Sequence, residues 1–456
     1  MATFFFCGIG GIGMSAIALY LKKAGHTVMG SDRSFDLKNV NAVQNNLINA
    51  GIQLHPQDGS GVTPDIDCFV VTRAVEDSIP DIKKAIELGL PIKKRPEVLA
   101  DIFHSYKGIA IAGTCGKTSI TAMVGHILYK NKLSPSMING GISLNTYNGE
   151  ACSNLIFGTG NHLVIEADES DGSIQGYNPF ISVVSNISLD HFELEQIRPL
   201  FEDFLNRTRH GIVINADCPE TAKLHLTHPN IIRFSTTGKS ADLTATDITP
   251  LEGSISFRLN GEWVTLPMIG THNVANALAA IGLALHAGIS VTESVKALNT
   301  FKGTRRRMQK IGQENNITVY DDYAHNPEKI RAALSALKPY GGRIFAIYQP
   351  HGFAPMRLMK DEFINVLKDV MNEQLTLIMP DIYYVGGTVA KDISSEDVIR
   401  PLADAGKRAF YMPNRTDILT YLAGEVKPND KIIVMGARDD SLTDFAQEIF
   451  KTVQGG

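Results

Sequence analysis

Cysteine is scarce in this chain, tryptophan nearly absent, and no apolar run reaches the length of a membrane span. Five cysteines (Cys7, Cys68, Cys115, Cys152 and Cys218) stand among 456 residues, far apart and without a C-x-x-C pair. An odd, scattered set suits free thiols in a reducing compartment and speaks against a disulfide framework or a cysteine zinc site. Excess positive charge is missing too: 43 Lys and Arg against 48 Asp and Glu give a formal net charge of −5. That balance argues against nucleic acid as the partner. The basic clusters Lys93-Lys94-Arg95 and Arg305-Arg306-Arg307 are short, and read as solvated faces or as local anion contacts. The apolar stretch from Ala2 to Leu21 lacks a basic leader and holds four glycines between Gly8 and Gly13. That suits a strand and a turn better than a secretion signal or a membrane helix. A cytoplasmic protein without membrane contact is the expectation.

The content that is present is ordinary for a globular chain, 44% hydrophobic and 20% charged. Its length implies about three domains. The most informative stretch is Gly113-Thr114-Cys115-Gly116-Lys117-Thr118. It follows an apolar run, Gly108 to Ala112, that reads as a buried strand, and precedes Ser119 to Lys130, which has helical spacing. Strand, glycine loop, Gly-Lys-Thr and helix make a phosphate cradle: loop N–H groups and the helix N-terminus attract the anion, Lys117 reaches the terminal phosphates and the Thr118 hydroxyl suits Mg²⁺. The spacing is shorter than usual, with Ile111 where a first glycine is expected. Cys115 reads as a small residue tolerated in the loop.

Upstream, Thr3 to Cys7 reads as a strand, Gly8-Ile-Gly-Gly-Ile-Gly13 fits G-x-G-x-x-G, and Met14 to Ala24 reads as a helix. A second strand, His26 to Gly30, ends at Ser31-Asp32. Such a unit binds a diphosphate and a ribose. Taken locally it suggests NAD and an oxidoreductase, although a UDP-sugar satisfies the same geometry. Strand–helix alternation continues through Cys68–Thr72 and Pro80–Leu88, and Pro91 to Tyr106 reads as a linker.

Downstream, the strand Leu163-Val-Ile runs into Glu166-Ala-Asp168-Glu-Ser-Asp171, and Ile181 to Ile187 leads to Asp190-His191. Carboxylates and an imidazole at strand ends beside a phosphate loop suggest a metal–nucleotide centre. From Leu243 to Met268 alternation replaces helical spacing, with Asn260-Gly261 as a hairpin turn. Gly270-Thr-His-Asn273-Val-Ala-Asn276 opens a helix; the two asparagines read either as a cap and a neighbouring polar group or as amides for a base. After the arginine cluster, Ile317-Thr-Val-Tyr-Asp-Asp-Tyr-Ala-His325-Asn-Pro327 reads as a strand ending in polar groups before a helix with Pro at its start. Further strands at Arg343–Tyr348, Leu375–Met379, Arg408–Tyr411 and Lys431–Met435 complete a third α/β unit.

The ordered series of these motifs resembles the Mur ligases, the ATP-dependent amide ligases of peptidoglycan precursor synthesis. Gly8-Ile-Gly-Gly-Ile-Gly-Met14-Ser15 and Glu166 to Asp171 resemble most the branch that adds L-alanine to a sugar nucleotide. The branch that recycles a preformed tripeptide is the near relative. The resemblance implies an α/β protein of three domains: a Rossmann-like UDP-binding domain over 1–107, a P-loop ATPase-type domain with some antiparallel strand over 108–301, and a Rossmann-like domain for the amino acid over 302–456. It implies UDP-N-acetylmuramate, an L-amino acid or peptide, ATP and Mg²⁺, in a monomer or homodimer.

By the same resemblance Gly8, Gly10, Gly11, Gly13, Met14, Ser15 and Asp32 hold the UDP-sugar. Gly113, Thr114, Gly116, Lys117, Thr118, Asn273, Asn276, Arg306 and Asp321 hold ATP. Thr118, Glu166 and His191 bind cations, and Lys117, Glu166 and His191 are catalytic. His325, His351 and Arg357 face the amino acid. Two segments depart from the family. Gln349-Pro-His351-Gly352-Phe-Ala-Pro355-Met-Arg357 carries Gly352 and Pro355 where arginines usually stand, and Gly436-Ala-Arg-Asp-Asp440 replaces a loop of small residues. No lysine lies between His191 and Asn215, which leaves Glu202 as the carboxylate considered for a second cation. A Mur-like binder without ligase activity and the oxidoreductase are the readings of other classes.

Overall fold

Short β-branched and aromatic runs, each closed by a glycine or a polar turn, give this chain its strands. The computed structural model describes residues 1–36, 42–72, 78–146, 154–170, 172–188, 193–384 and 390–454. Two compact units form: Met1–Thr246 with Arg258–Val264 and Val274–Lys302, and Asp247–Phe257 with Thr265–Asn273 and Gly303–Gly456.

The first unit holds two sheets. In the first, β1 (Thr3–Cys7), β2 (Thr27–Ser31), β3 (Gln53–His55), β4 (Cys68–Val71) and β5 (Ile92–Lys94) lie in the order β3-β2-β1-β4-β5. All pairings are parallel. That is half of a doubly wound dinucleotide fold, and it places the turn after β1 at the carboxyl end of the sheet, facing α1 (Ile12–Lys23). The stretch expected to be a linker is instead β5 followed by α2 (Arg95–His104). Its Pro96 sits in the first turn, and the Glu97 carboxylate accepts the Lys94 N–H at 2.6 Å, closing a capping box. Val98, Leu99 and Phe103 are buried, so a prolyl, lysine-rich start hides an amphipathic helix.

The second sheet runs β13-β12-β11-β10-β6-β9-β7-β8. Its strands are β6 (Lys107–Ala112), β7 (Ser136–Ile138), β8 (Leu155–Ile156), β9 (His162–Glu166), β10 (Ile181–Val184), β11 (Gly211–Asn215), β12 (Ile231–Ser235) and β13 (Leu243–Thr244). Only β7–β8 is antiparallel among the pairings given by register. β6 lies between β9 and β10 and feeds α3 (Lys117–Lys130). The chain thus leaves β6 with strands on either side, which puts the crevice of the sheet at the phosphate loop. The two sheets share a core that includes Ile17, Tyr20, Phe103, Ile165 and Phe201, and the Tyr20 and Tyr106 hydroxyls meet at 2.6 Å.

A three-stranded sheet follows, β14 (Thr246–Leu251), β15 (Ser254–Leu259) and β16 (Glu262–Leu266). The turn between β15 and β16 is the expected Asn260-Gly261, both at positive φ (51° and 83°), as a two-residue type I′ hairpin requires. Then comes α4 (Thr271–His286).

In the second unit β17 (Gln309–Glu314), β18 (Ile317–Asp322), β19 (Ile344–Gln349), β20 (Leu375–Met379), β21 (Ala409–Tyr411) and β22 (Lys431–Gly436) form one sheet, ordered β17-β18-β22-β19-β20-β21. β17 is antiparallel to β18; the rest are parallel. Helices α5 (Pro327–Leu337), α6 (Phe353–Val370) and α7 (Leu442–Gln454) connect and cover them. β19 and β22 are buried along their whole length, as strands covered on both faces must be. This is an α/β protein with parallel sheets and limited antiparallel strand.

Phe345, fully enclosed in β19, marks the centre of the second unit's core. Phe345→Ala is expected to lower its unfolding free energy by about 3–5 kcal/mol, read as a shift in the urea midpoint with unchanged binding of ligands to the first unit.

Candidate functional site

The phosphate loop takes its shape from two glycines. Gly113 and Gly116 sit at φ 121° and 92°, conformations that a Cβ disfavours. At Gly116 a side chain would also run into the Asn276 amide. The loop is tied to the end of β10: Thr114 donates its N–H to the Asn186 carbonyl at 3.0 Å, and the Cys115 N–H donates to Asn186 Oδ1 at 3.0 Å. Ser185 Oγ and Asn186 Nδ2 return bonds to the Cys115 carbonyl at 2.7 and 2.9 Å.

Lys117 opens α3 with its ammonium folded back over the loop. It donates to the Gly113 carbonyl at 2.8 Å and to both oxygens of Glu169 at 3.0 and 2.8 Å, with Asp168 4.0 Å away. Glu169 is only 2% exposed. Burial pulls the lysine's pKa down, but Glu169, Asp168 and Glu166 outweigh it and the net shift is upward. The ammonium therefore stays charged, with Glu169 as its counter-ion. Thr118 Oγ1 lies 3.3 Å from Glu166 Oε2, and Glu166 Oε1 accepts the Gly140 N–H at 2.6 Å. An alcohol and a carboxylate at the loop's edge are hard oxygen donors, the set that suits Mg²⁺ when phosphates and water complete its octahedron. No cluster of three or more His, Cys, Asp or Glu side chains gathers among the described residues. His191 lies outside them, as do Asp171 and Asp190. Glu202 accepts the His225 N–H at 2.7 Å.

At the first sheet the Gly8 and Ile9 N–H groups donate to the Ser31 carbonyl, at 2.8 and 3.0 Å. Asp32 Oδ2 accepts the Gly10 N–H at 2.8 Å, while its other oxygen takes the Ser34 N–H and hydroxyl. The acid expected at a ribose thus braces the glycine loop itself. A Cβ on Gly10 would lie 2.8 Å from that carboxylate. Met14 and Ser15 are buried behind the loop at 2% and 1% exposure. Next to Gly13 stands Arg95, 3.2 Å from where a Cβ would be. The sequence presents Arg95 only as part of a short basic cluster; β5, by pairing with β4, carries it to the glycine loop.

The remaining expected nucleotide residues are less open than the sequence implied. Asn273 is 1% exposed and donates to the Ile269 carbonyl at 2.8 Å; Asn276, 6% exposed, backs Gly116. In the second unit Asp321 is wholly enclosed, accepting from Thr443 Oγ1 at 2.7 Å and Arg306 Nε at 3.4 Å. Arg306 continues to the carbonyls of Gly436 (2.7 Å) and Asp439 (3.2 Å). Asp321 thus belongs to a hydrogen-bonded network with Thr443 and Arg306. Burial raises its carboxyl pKa against the pull of Arg306.

Of the residues expected at the amino acid, His325 and His351 come together, ring centroids 5.6 Å apart. Burial lowers both, His325 to about 4. Arg357 does not join them through its hydrogen bonds: its guanidinium binds the Asp392 carboxylate and, at 3.1 Å, the Ala390 carbonyl.

The chain matches three family models in order: "Mur ligase family, catalytic domain" over residues 3–107, "Mur ligase middle domain" over 111–284 and "Mur ligase, glutamate ligase domain" over 306–438. A UDP-N-acetylmuramate–L-alanine ligase of Lachnospira eligens is 35% identical over 450 residues, 95% of each chain. One of Geobacter sulfurreducens is 36% identical over 95% of this chain and 94% of its own. Among solved structures, UDP-N-acetylmuramate-alanine ligase MurC of Thermotoga maritima covers both chains fully, with TM-score 0.78 and 26% identity. A murein peptide ligase of Psychrobacter arcticus, at 24% identity and TM-score 0.67 over 99% of each chain, shares the fold. These relatives give the oxidoreductase reading no support. No helix among the described residues is long and apolar enough to cross a membrane.

Because Glu169 is nearly sealed, Lys117→Met is expected to cost about 3–5 kcal/mol by stranding its charge and to abolish ATP turnover. Adding Glu169→Gln should recover the thermal midpoint but not ADP formation. Recovery of both would show that the lysine acts only in folding.

Proposed function

This chain belongs to the Mur ligase family, and from that premise we propose that it joins the carboxyl group of UDP-N-acetylmuramate to L-alanine, with ATP converted to ADP and phosphate. The observation that carries the reading is the pairing of a phosphate loop, armed with Lys117, and a diphosphate-type glycine loop in one compact unit. The similarity to ligases of that name extends over 95% of the chain.

A carboxylate resists attack by an amine because its own charge repels the nucleophile and its oxygen is a poor leaving group. In the proposed reaction its oxygen attacks the γ-phosphorus, the bond to the β,γ-bridging oxygen breaks, and ADP departs. The amine lone pair then attacks the carbonyl carbon of the acyl phosphate. The nitrogen loses a proton, the carbon–oxygen bond breaks, and phosphate leaves.

Lys117 exchanges Glu169 for the β- and γ-phosphates, neutralising charge that spreads over the transferring group. The loop amides of Gly113, Thr114 and Gly116 and the start of α3 cradle the same phosphates; for Thr114 this requires its N–H to leave the Asn186 carbonyl. Mg²⁺, held by Thr118 and Glu166 with His191 as a further ligand, would supply positive charge at the phosphoryl oxygens. At the other loop Gly8, Gly10, Gly11 and Gly13 let the backbone approach the diphosphate, and Arg95 adds a cation beside it. Asn276 supports the phosphate loop from behind, and Arg306 and Asp321 hold the second unit's strand ends. The protein works in the cytoplasm.

A second reading keeps the chemistry and changes the amine. Gly352 and Pro355 favour it, since they leave the segment after β19 without the arginines that would grip a small amino acid.

Phosphate release from Mg-ATP and UDP-N-acetylmuramate should be measured with L-alanine, glycine, L-serine and the L-Ala-γ-D-Glu-diaminopimelate tripeptide. Release with L-alanine is expected; release only with another amine transfers the assignment to it, and release with none refutes the ligase. Arg95→Met should weaken UDP-N-acetylmuramate binding by about tenfold or more, the loss of one charge-assisted contact, while the KM for ATP stays put.

A further inference from the structure

We propose that Arg438 grips the carboxylate of the incoming amine substrate, making the loop after β22 a specificity element of this ligase. The inference rests on the ligase reading and names the residue that reading leaves missing.

The argument begins with the backbone. Arg438 sits at φ 60°, in the left-handed region that a long side chain enters only under constraint. Strained residues that persist gather at functional sites. The loop backbone is held on both sides, by Arg306 on the carbonyls of Gly436 and Asp439 and by the burial of Ala437 and Asp439, while the Arg438 side chain itself is left exposed.

The sheet gives the position a meaning. β22 lies between β18 and β19, and Gly436 pairs with Gln349 across the ladder. Arg438 and His351 are therefore each two residues beyond a paired position, at the carboxyl ends of adjacent parallel strands. His325 arrives from the end of β18, its ring 5.6 Å from that of His351. Carboxyl ends of strands where the order doubles back are where open α/β sheets hold ligands. His351 Nδ1 is buried with no hydrogen-bond partner among the described residues, and the charge of Arg438 reaches it, adding to burial in lowering its pKa.

The charges of Lys329 and Arg307 reach His325, with Arg307 over the Tyr323 ring at 5.2 Å, whereas the cation that reaches His351 is Arg438. Arg306 is spent on the carbonyls of Gly436 and Asp439. Arg415 binds the Asp439 carboxylate, Ser441 and Gln349. Arg357 turns to Asp392, and Lys391 lies over the Tyr384 ring at 4.4 Å. Asp439 is 2% exposed and faces Arg415, so it does not neutralise its neighbour. Arg438 forms no ion pair among the described residues. A planar guanidinium presenting paired donors matches a carboxylate, and every amino acid or peptide amine carries one.

The test uses the full chain. Steady-state phosphate release should be measured for the unaltered protein and for Arg438→Gly and Arg438→Gln, with L-alanine and with L-alaninamide, which lacks the carboxylate. For the unaltered protein, the amide should show a KM about tenfold or more above that of L-alanine. Both variants should raise the KM for L-alanine to the level of the amide, leave the amide unchanged, and keep the KM for ATP. Arg438→Gly, which suits a positive φ, should melt no lower than the unaltered protein, so the lost affinity is not a folding defect. Unchanged L-alanine KM in both variants would overturn the assignment, as would a rise in Arg357→Ala alone. If no amine of the four-member panel stimulates phosphate release by the unaltered protein, the ligase reading falls, and this one with it.

Discussion

One buried ion pair organises the catalytic half of this molecule. The Lys117 ammonium is clasped by the Gly113 carbonyl and both oxygens of Glu169, within a loop whose glycines turn through left-handed backbone. Here Glu169 answers the lysine and Asn186 answers the amides of Thr114 and Cys115. Glu169 and Asn186 thereby fix the side chain and the backbone of the loop.

The glycine loop of the first sheet follows the same logic with the sign reversed. Asp32 holds the Gly10 N–H and so preorganises the turn, while Arg95 stands at the start of α1 where a diphosphate would need a counter-charge. At the first sheet a carboxylate fixes the loop backbone, whereas at the second Asn186 does so and the carboxylate faces the lysine.

The parts of this architecture that were legible in the sequence are those written locally. Strand, glycine loop and helix recur within a few residues at Gly8 and at Gly113, and the Asn260-Gly261 turn needs only its own dihedrals. The segment from Pro91 to Tyr106 was misread because proline and lysine suggest a linker. Its helix depends on a capping box and on Val98, Leu99 and Phe103 meeting a core assembled from distant residues. Asp321 and Asn273 stand in motifs that suggest ligand contact; their protein partners, Thr443, Arg306 and the Ile269 carbonyl, are set by tertiary packing and are not legible locally. The carboxylate cluster after β9 was visible, but which member faces Lys117 depends on the turn that follows the strand. Arg95 reaches Gly13 only through the pairing of β5 with β4.

The contacts between the first two sheets carry one more implication. Asn154, beside β8, donates to the carbonyl of Ile12 at the head of α1 at 3.4 Å, and the Tyr20 ring packs on Phe157. These bonds anchor the helix that starts at one anion-binding loop to the sheet that carries the other. The two glycine loops therefore sit on elements tied together by these contacts as well as by a shared core, so that neither loop can shift without moving side chains that pack under the other.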